Sequence, residues 1–141
     1  MATARRYAMD TKVPVSQTRN EIETLLGKHG ADQFLSGTMV GQAMVGFRIK
    51  QLQIKIVLEM PKGDSAAEAR EARRRWRALL LVIKAKLEAV ASGISLLEDE
   101  FLAHTVMSDG QTVGQWARPQ ISAMYKGGKM PPLLPAPHKG D

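Results

Sequence analysis

Cysteine is absent from the 141 residues, which removes disulfides, thiolate metal sites and cysteine nucleophiles together and points to a reducing compartment. Aromatic residues are scarce, two Trp, two Tyr and three Phe, too few to interleave with cations as a base-stacking platform. The longest apolar run, Ala78 to Ile83, falls far short of the roughly 20 residues that span a bilayer. The opening "MATARRYAMDTKVPV" has no apolar stretch after its two Arg, so a secretory signal is not expected. These absences predict a soluble cytoplasmic protein with no membrane partner. No P-loop, nucleophile elbow, dinucleotide fingerprint or His-Glu-x-x-His occurs, and neither an enzyme nor a cofactor is expected. Helix-turn-helix and RNP-type patterns are missing too, which argues against sequence-specific reading of DNA.

Positive charge is plentiful: 20 Lys and Arg stand against 14 Asp and Glu, a net charge of +6. Such a balance favours anionic partners, nucleic acid first among them. With 44% hydrophobic residues the chain can bury one core, and we expect one domain over 16–128, an N-terminal arm over 1–15 and a Pro-rich tail over 129–141.

Periodicity divides the domain. "TRNE" offers a capping box, Thr18 with Glu21, ahead of a short helix carrying Ile22, Leu25 and Leu26 and stopped by Gly27 or Gly30. Leu52, Ile54, Ile56, Leu58 and Met60 then alternate with Gln53, Lys55, Val57 and Glu59, the signature of a strand with one buried face. Val45, Phe47 and Ile49 alternate likewise, and Phe34 to Val40 forms a weaker strand around Gly37. Turns at Gly41-Gln42 and Lys50-Gln51 would join the three. Ser65 and Glu68 supply a second capping box, after which neither Pro nor Gly interrupts the chain before Gly93. Ala69, Ala72, Trp76, Leu79, Leu80, Ile83, Leu87 and Val90 share one sector of that long helix. The fold expected is therefore α+β: a three-stranded antiparallel meander covered by one long helix, with short helices at both ends. Among the latter are "SLLEDEFLAHTV" and a helix capped by Thr112 that Pro119 should kink or restart.

Several residues could carry function. Arg70, Arg73, Arg77 and Lys84 lie about a quarter-turn from the apolar sector, with Arg74 just beyond, and form a candidate phosphate-gripping stripe. The plainer reading is a solvated flank paired with Glu68, Glu71 and Glu88. Arg48 and Lys55, with Lys50, Gln53 and Thr38, could extend the grip across the outer face of the sheet. Leu81 falls off the main apolar sector and suggests a contact with another subunit or a neighbouring helix, so a homo-oligomer is expected. Pro131, Pro132, Leu133 and Leu134 could dock on a partner or fold back over the domain. Phe34, Phe47, Phe101, Trp76 and Trp116 read as core, and Tyr7 and Tyr125 as freer. Glu100 and His104, four apart with Glu98, Asp99 and Asp109 nearby, have a spacing that could hold a divalent metal. Acids at a helix start have an ordinary electrostatic reason, so no metal site is assigned there.

The segments "RRRWRALLLVIKAKLEAVASGISLLEDEFLAH", "DGQTVGQW" and "GKMPPLLP" resemble a family of small uncharacterised proteins encoded by tailed phages and prophages. The likeness runs from about Val13 to Pro135. That family has no assigned activity, so the resemblance implies phage origin and a role in an infected bacterial cell, and it assigns no site. Two functions follow as expectations. One is a non-enzymatic nucleic-acid-binding protein of weak sequence specificity, accessory to phage replication or recombination. The other is an interaction protein that inhibits or redirects a host protein or defence system.

Overall fold

A computed structural model describes residues 12–134. The expected N-terminal arm, with Tyr7, lies outside the described residues as far as residue 11, and the tail does so from residue 135.

Helix α1 spans Val15–Lys28 and starts three residues before the Thr18 box. Pro14 precedes it, and the Pro14 carbonyl accepts from the amides of Gln17 and Thr18 at 3.1 and 3.2 Å. Thr18, Ile22 and Leu26 recur every four residues on one buried face, so the helix that buries the two aliphatics carries Thr18 in with them. The Thr18 hydroxyl is left buried without a hydrogen-bond partner. An orphaned buried hydroxyl costs on the order of 1 kcal/mol, so Thr18→Val, nearly the same shape, should raise stability by about that much in thermal or urea unfolding. A destabilised variant would mean the hydroxyl is satisfied.

Gly30, at φ +97, turns the chain into the sheet. Strands β1 (Ala31–Met39), β2 (Gln42–Ile49) and β3 (Leu52–Glu59) form an antiparallel meander in the order β1-β2-β3. The first hairpin turns on Val40-Gly41, one residue earlier than expected, because Met39 pairs with Gln42 and Gly41 takes φ +81. The second turns on Lys50 and Gln51, both left-handed (φ 47 and 69), the pair of conformations that matches hairpin twist. Ala43, Val45, Phe47 and Ile49 of β2 and Ile54 and Ile56 of β3 point to one buried face. In that register Thr38, opposite Ala43, points inward, and Lys50 sits in a turn, so neither joins the outer face as expected.

Helix α2 spans Ala66–Ala91, and its start is fixed by the reciprocal Ser65–Glu68 box, reinforced by Gly63 N–H donating to Glu68 at 3.0 Å. Trp76, Leu79, Leu80, Ile83 and Leu87 are buried against the inner face of the sheet and α1. The long helix therefore covers the meander, as the periodicity predicts, and α1 lies beside it as a second cover.

The helix expected over "SLLEDEFLAHTV" divides into a four-residue turn, α3 (Leu97–Glu100), and a 3-10 turn (Leu102–His104). Phe101 causes the break. It leaves helical geometry at φ −111, ψ 17 to place its fully buried ring edge-on against Phe47, 5.6 Å between centroids. The chain then runs along β3: Thr105 bridges Ile54, and Val106 N–H donates to the Gln53 carbonyl at 2.8 Å.

Thr112 and Gln115 form a third capping box at the start of α4, Val113–Gly127. This helix runs through Pro119 rather than restarting there. Beside the missing amide, the Gln120 side chain donates to the Trp116 carbonyl at 3.0 Å. No helix among the described residues is long and apolar enough to cross a membrane.

Candidate interaction surface

The basic stripe is not an open row. Arg77 turns into the seam between the helices, where its guanidinium donates to Glu21 of α1, and its side chain is only 13% exposed. Arg74 holds Glu71 by two bonds of 2.8 and 2.6 Å, and Arg75 adds a third at 2.8 Å while also donating to the Glu59 carbonyl. Hydrogen bonding from Arg74, then Arg75, brings the Glu71 carboxyl down to about 2. Arg73 is half-buried, and its Nε is fully buried without a partner. Arg70 and Lys84 are exposed.

The sheet separates these groups from the other two candidates. Arg48 and Lys55 stand on the face opposite α2, since their neighbours in register, Phe47, Ile49, Ile54 and Ile56, point into the core. A bulge between Ala31 and Gln33 swings Asp32 onto that outer face, where it takes Arg48 in a two-pronged pair at 2.9 and 2.6 Å. Lys55 is half-buried. The seven cations thus divide between two sides of the molecule, three of them tied to acids.

Glu100 and His104 do not converge on a metal: Lys86 occupies the space beside Glu100, bonding its carbonyl at 2.9 Å and lying 3.7 Å from its carboxylate. Burial, helped by Lys86 and Arg118 and opposed by a bond to the Lys55 backbone, holds the His104 imidazole below its usual range and therefore uncharged at neutral pH. Among the described residues no three His, Asp or Glu side chains gather where a metal could be held.

The feature that needs a partner is α4. At 100° per residue Trp116, Ala117, Ile121, Met124 and Tyr125 fall within about half of its circumference. A stripe of that kind normally faces a core, yet no residue of α4 is buried. Trp116, expected in the core, is 51% exposed and Tyr125 68%. Ile121 and Met124 are about half exposed, and the stripe continues into Met130, Leu133 and Leu134. Pro131 and Pro132 are exposed as well, so the described part of the tail does not fold back over the domain. Leu81 is half-buried, with its neighbour Val82 exposed.

Only the root of α4 is fixed. Gly114 lies so close to the 3-10 turn that a Cβ there would stand 2.9 Å from the Ala103 carbonyl oxygen. Beyond it, Ala117, Arg118 and Ile121 face Leu102 and His104 across an open groove of about 690 Å³. From Gly110 to Leu134 the chain carries no Asp or Glu, while Arg118, Lys126 and Lys129 supply positive charge. That acid-free amphipathic segment is plain in the sequence; its lack of a covering surface is not.

No protein-family model, curated protein or solved structure matches this chain.

Proposed function

We propose that the protein is a non-enzymatic interaction module that lays α4 into an apolar groove with an acidic rim on a partner protein. The observation that carries this reading is the exposed apolar stripe of α4, flanked by Arg118 and Lys126 on a segment, 110–134, that holds no Asp or Glu of its own. An amphipathic helix docked in a groove takes its affinity from a few large anchors, and Trp116, Ile121 and Met124 are of that kind. The resemblance to phage-encoded proteins supports a bacterial host protein as the partner and inhibition or redirection as the outcome.

The test is capture from nuclease-treated bacterial lysate by the whole chain, beside Trp116→Ala/Met124→Ala. The double variant should fold with nearly unchanged stability, because both side chains are already half in water. Hot-spot anchors are worth about 2 kcal/mol or more each, about 30-fold, so the loss of both should cost on the order of 1,000-fold in affinity for the captured protein where the two add. Undiminished capture would remove α4 from the function.

Nucleic-acid binding is the second reading, favoured by the net charge of +6 and by the exposure of Arg70 and Lys84. With Arg48, Arg74 and Arg77 already holding acids, few of the seven cations can neutralise phosphate. Three engaged phosphates would give a slope of log K against log salt of about −2.7, against about −6.3 for seven. Anisotropy against labelled DNA and RNA across a salt series distinguishes the two, and no binding at low salt would end this reading.

A further inference from the structure

The two edges of the sheet are treated differently. In an antiparallel ladder the residues that bond to one neighbour alternate with those that face the other way. Counting from the pairs Met39–Gln42 and Ile49–Leu52 that close the hairpins, Gln53, Lys55, Val57 and Glu59 turn their backbone groups to the free side of β3, and Phe34, Ser36 and Thr38 do so on β1. The β3 side is covered: the Gln53 carbonyl takes the Val106 amide at 2.8 Å, Thr105 bridges Ile54 beside it, and the Glu59 carbonyl takes Arg75 at 3.1 Å. On the β1 side, Phe34, Ser36 and Thr38 have no such partner among the described residues. Natural sheets blunt an open edge with Lys, Pro or inward charge, yet "ADQFLSGTM" holds one charge, and that one is tied to Arg48.

We infer that a second copy of this chain pairs its β1 antiparallel with β1, about a two-fold axis at Ser36, to make one six-stranded sheet. This register satisfies the outward backbone groups of all three residues: Ser36 faces Ser36 of the other copy, and Phe34 faces Thr38. On the outer face Leu35, 56% exposed, comes opposite Gly37, where no Cβ and no neighbouring atom occupies the space. Asp32, the only charge on the strand, comes opposite Val40, so no like charges meet. The inner side is open enough to admit the neighbour, since Ser36 is only half-buried and Thr38 is exposed. The dimer would carry two α4 arms and so bind a multivalent partner with avidity.

The absence of cysteine makes the test direct. Under mild oxidation Ser36→Cys should give a covalent dimer, whereas Ser108→Cys, in an exposed turn, should not. In light scattering the native chain should have twice the 15.5 kDa chain mass. Ser36→Pro should return it to the single-chain mass with its circular dichroism intact, because the amide removed points away from β2. A native chain of single mass, a Ser36→Pro variant that remains a folded dimer, or equal cross-linking at Ser36 and Ser108 would each overturn the inference.

Discussion

Arg77→Glu is expected to lower stability by about 3 kcal/mol, enough to leave a chain of this size close to its folding threshold. In the sequence Arg77 stands in a row of cations where a charge reversal looks harmless. In the structure it is the ion pair that joins α1 to α2, and the reversal sets a second carboxylate, largely out of water, against that of Glu21. Breaking a buried pair costs about 3–5 kcal/mol, and the 40% exposure of Glu21 places this one at the low end. Arg70→Glu, on the same helix but exposed, should stay within about 0.5 kcal/mol. Urea midpoints at constant m value measure both. Arg77→Met with Glu21→Leu should recover most of the loss, because apolar side chains of similar volume often replace a buried pair without penalty. If Arg77→Glu instead unfolds like Arg70→Glu, the two helices are held by their apolar contacts alone. A nucleic-acid experiment that used Arg77 as its charge-reversal site would therefore confound lost contact with lost fold.

The legible part of the fold is the part written in short-range patterns. Alternation over Leu52 to Met60 and the sector from Ala69 to Val90 each impose a period that one kind of element satisfies, and Ser65 with Glu68 marks the helix start locally. Where the pattern is local but the deciding contact is distant, the pattern misleads. Thr18 and Glu21 have the spacing of a capping box, but Glu21 is taken by a residue 56 positions away and Thr18 is drawn inward with Ile22. Phe101 continues a helical pattern yet leaves the helix to reach Phe47. The basic stripe is legible as a set of cations, and its local pair, Arg74 with Glu71, is legible with it; the Arg77–Glu21 pair, like Arg48–Asp32 on the sheet, is not, because the acids lie 56 and 16 positions away. For α4 the amphipathic pattern is visible, but a pattern cannot say whether the covering surface belongs to the same chain; the exposure of Trp116 does.

Phe101→Ala should cost about 3–5 kcal/mol, the range for emptying the site of a fully buried aromatic ring, and should do so unevenly. The ring fixes the stretch that runs along β3. Removing it weakens the Lys86–Glu100 contact, the Thr105–Ile54 bridge and the Val106–Gln53 bond together, while the meander and the two covering helices keep their own contacts. Among the described residues α4 is rooted on the 3-10 turn that follows and on Thr105, whose carbonyl takes the Val113 amide at 2.9 Å, so its position depends on a ring more than ten residues away in sequence. Hydrogen exchange should therefore find the Val106 and Val113 amides opening at lower free energy than those of β2 in the variant, with the gap far smaller in the native chain. Phe101→Leu, which keeps most of the volume, should cost less than half as much. Gly114→Ala offers a separate route to the same helix, pressing a methyl group against the Ala103 carbonyl without touching the core. If both Phe101→Ala and Gly114→Ala weaken partner capture while Trp116 and Met124 are intact, the groove reads α4 in the orientation its root imposes. If capture survives both, α4 binds as an independent helix on a flexible tether, and the domain behind it serves to carry the helix and, through β1, to double it.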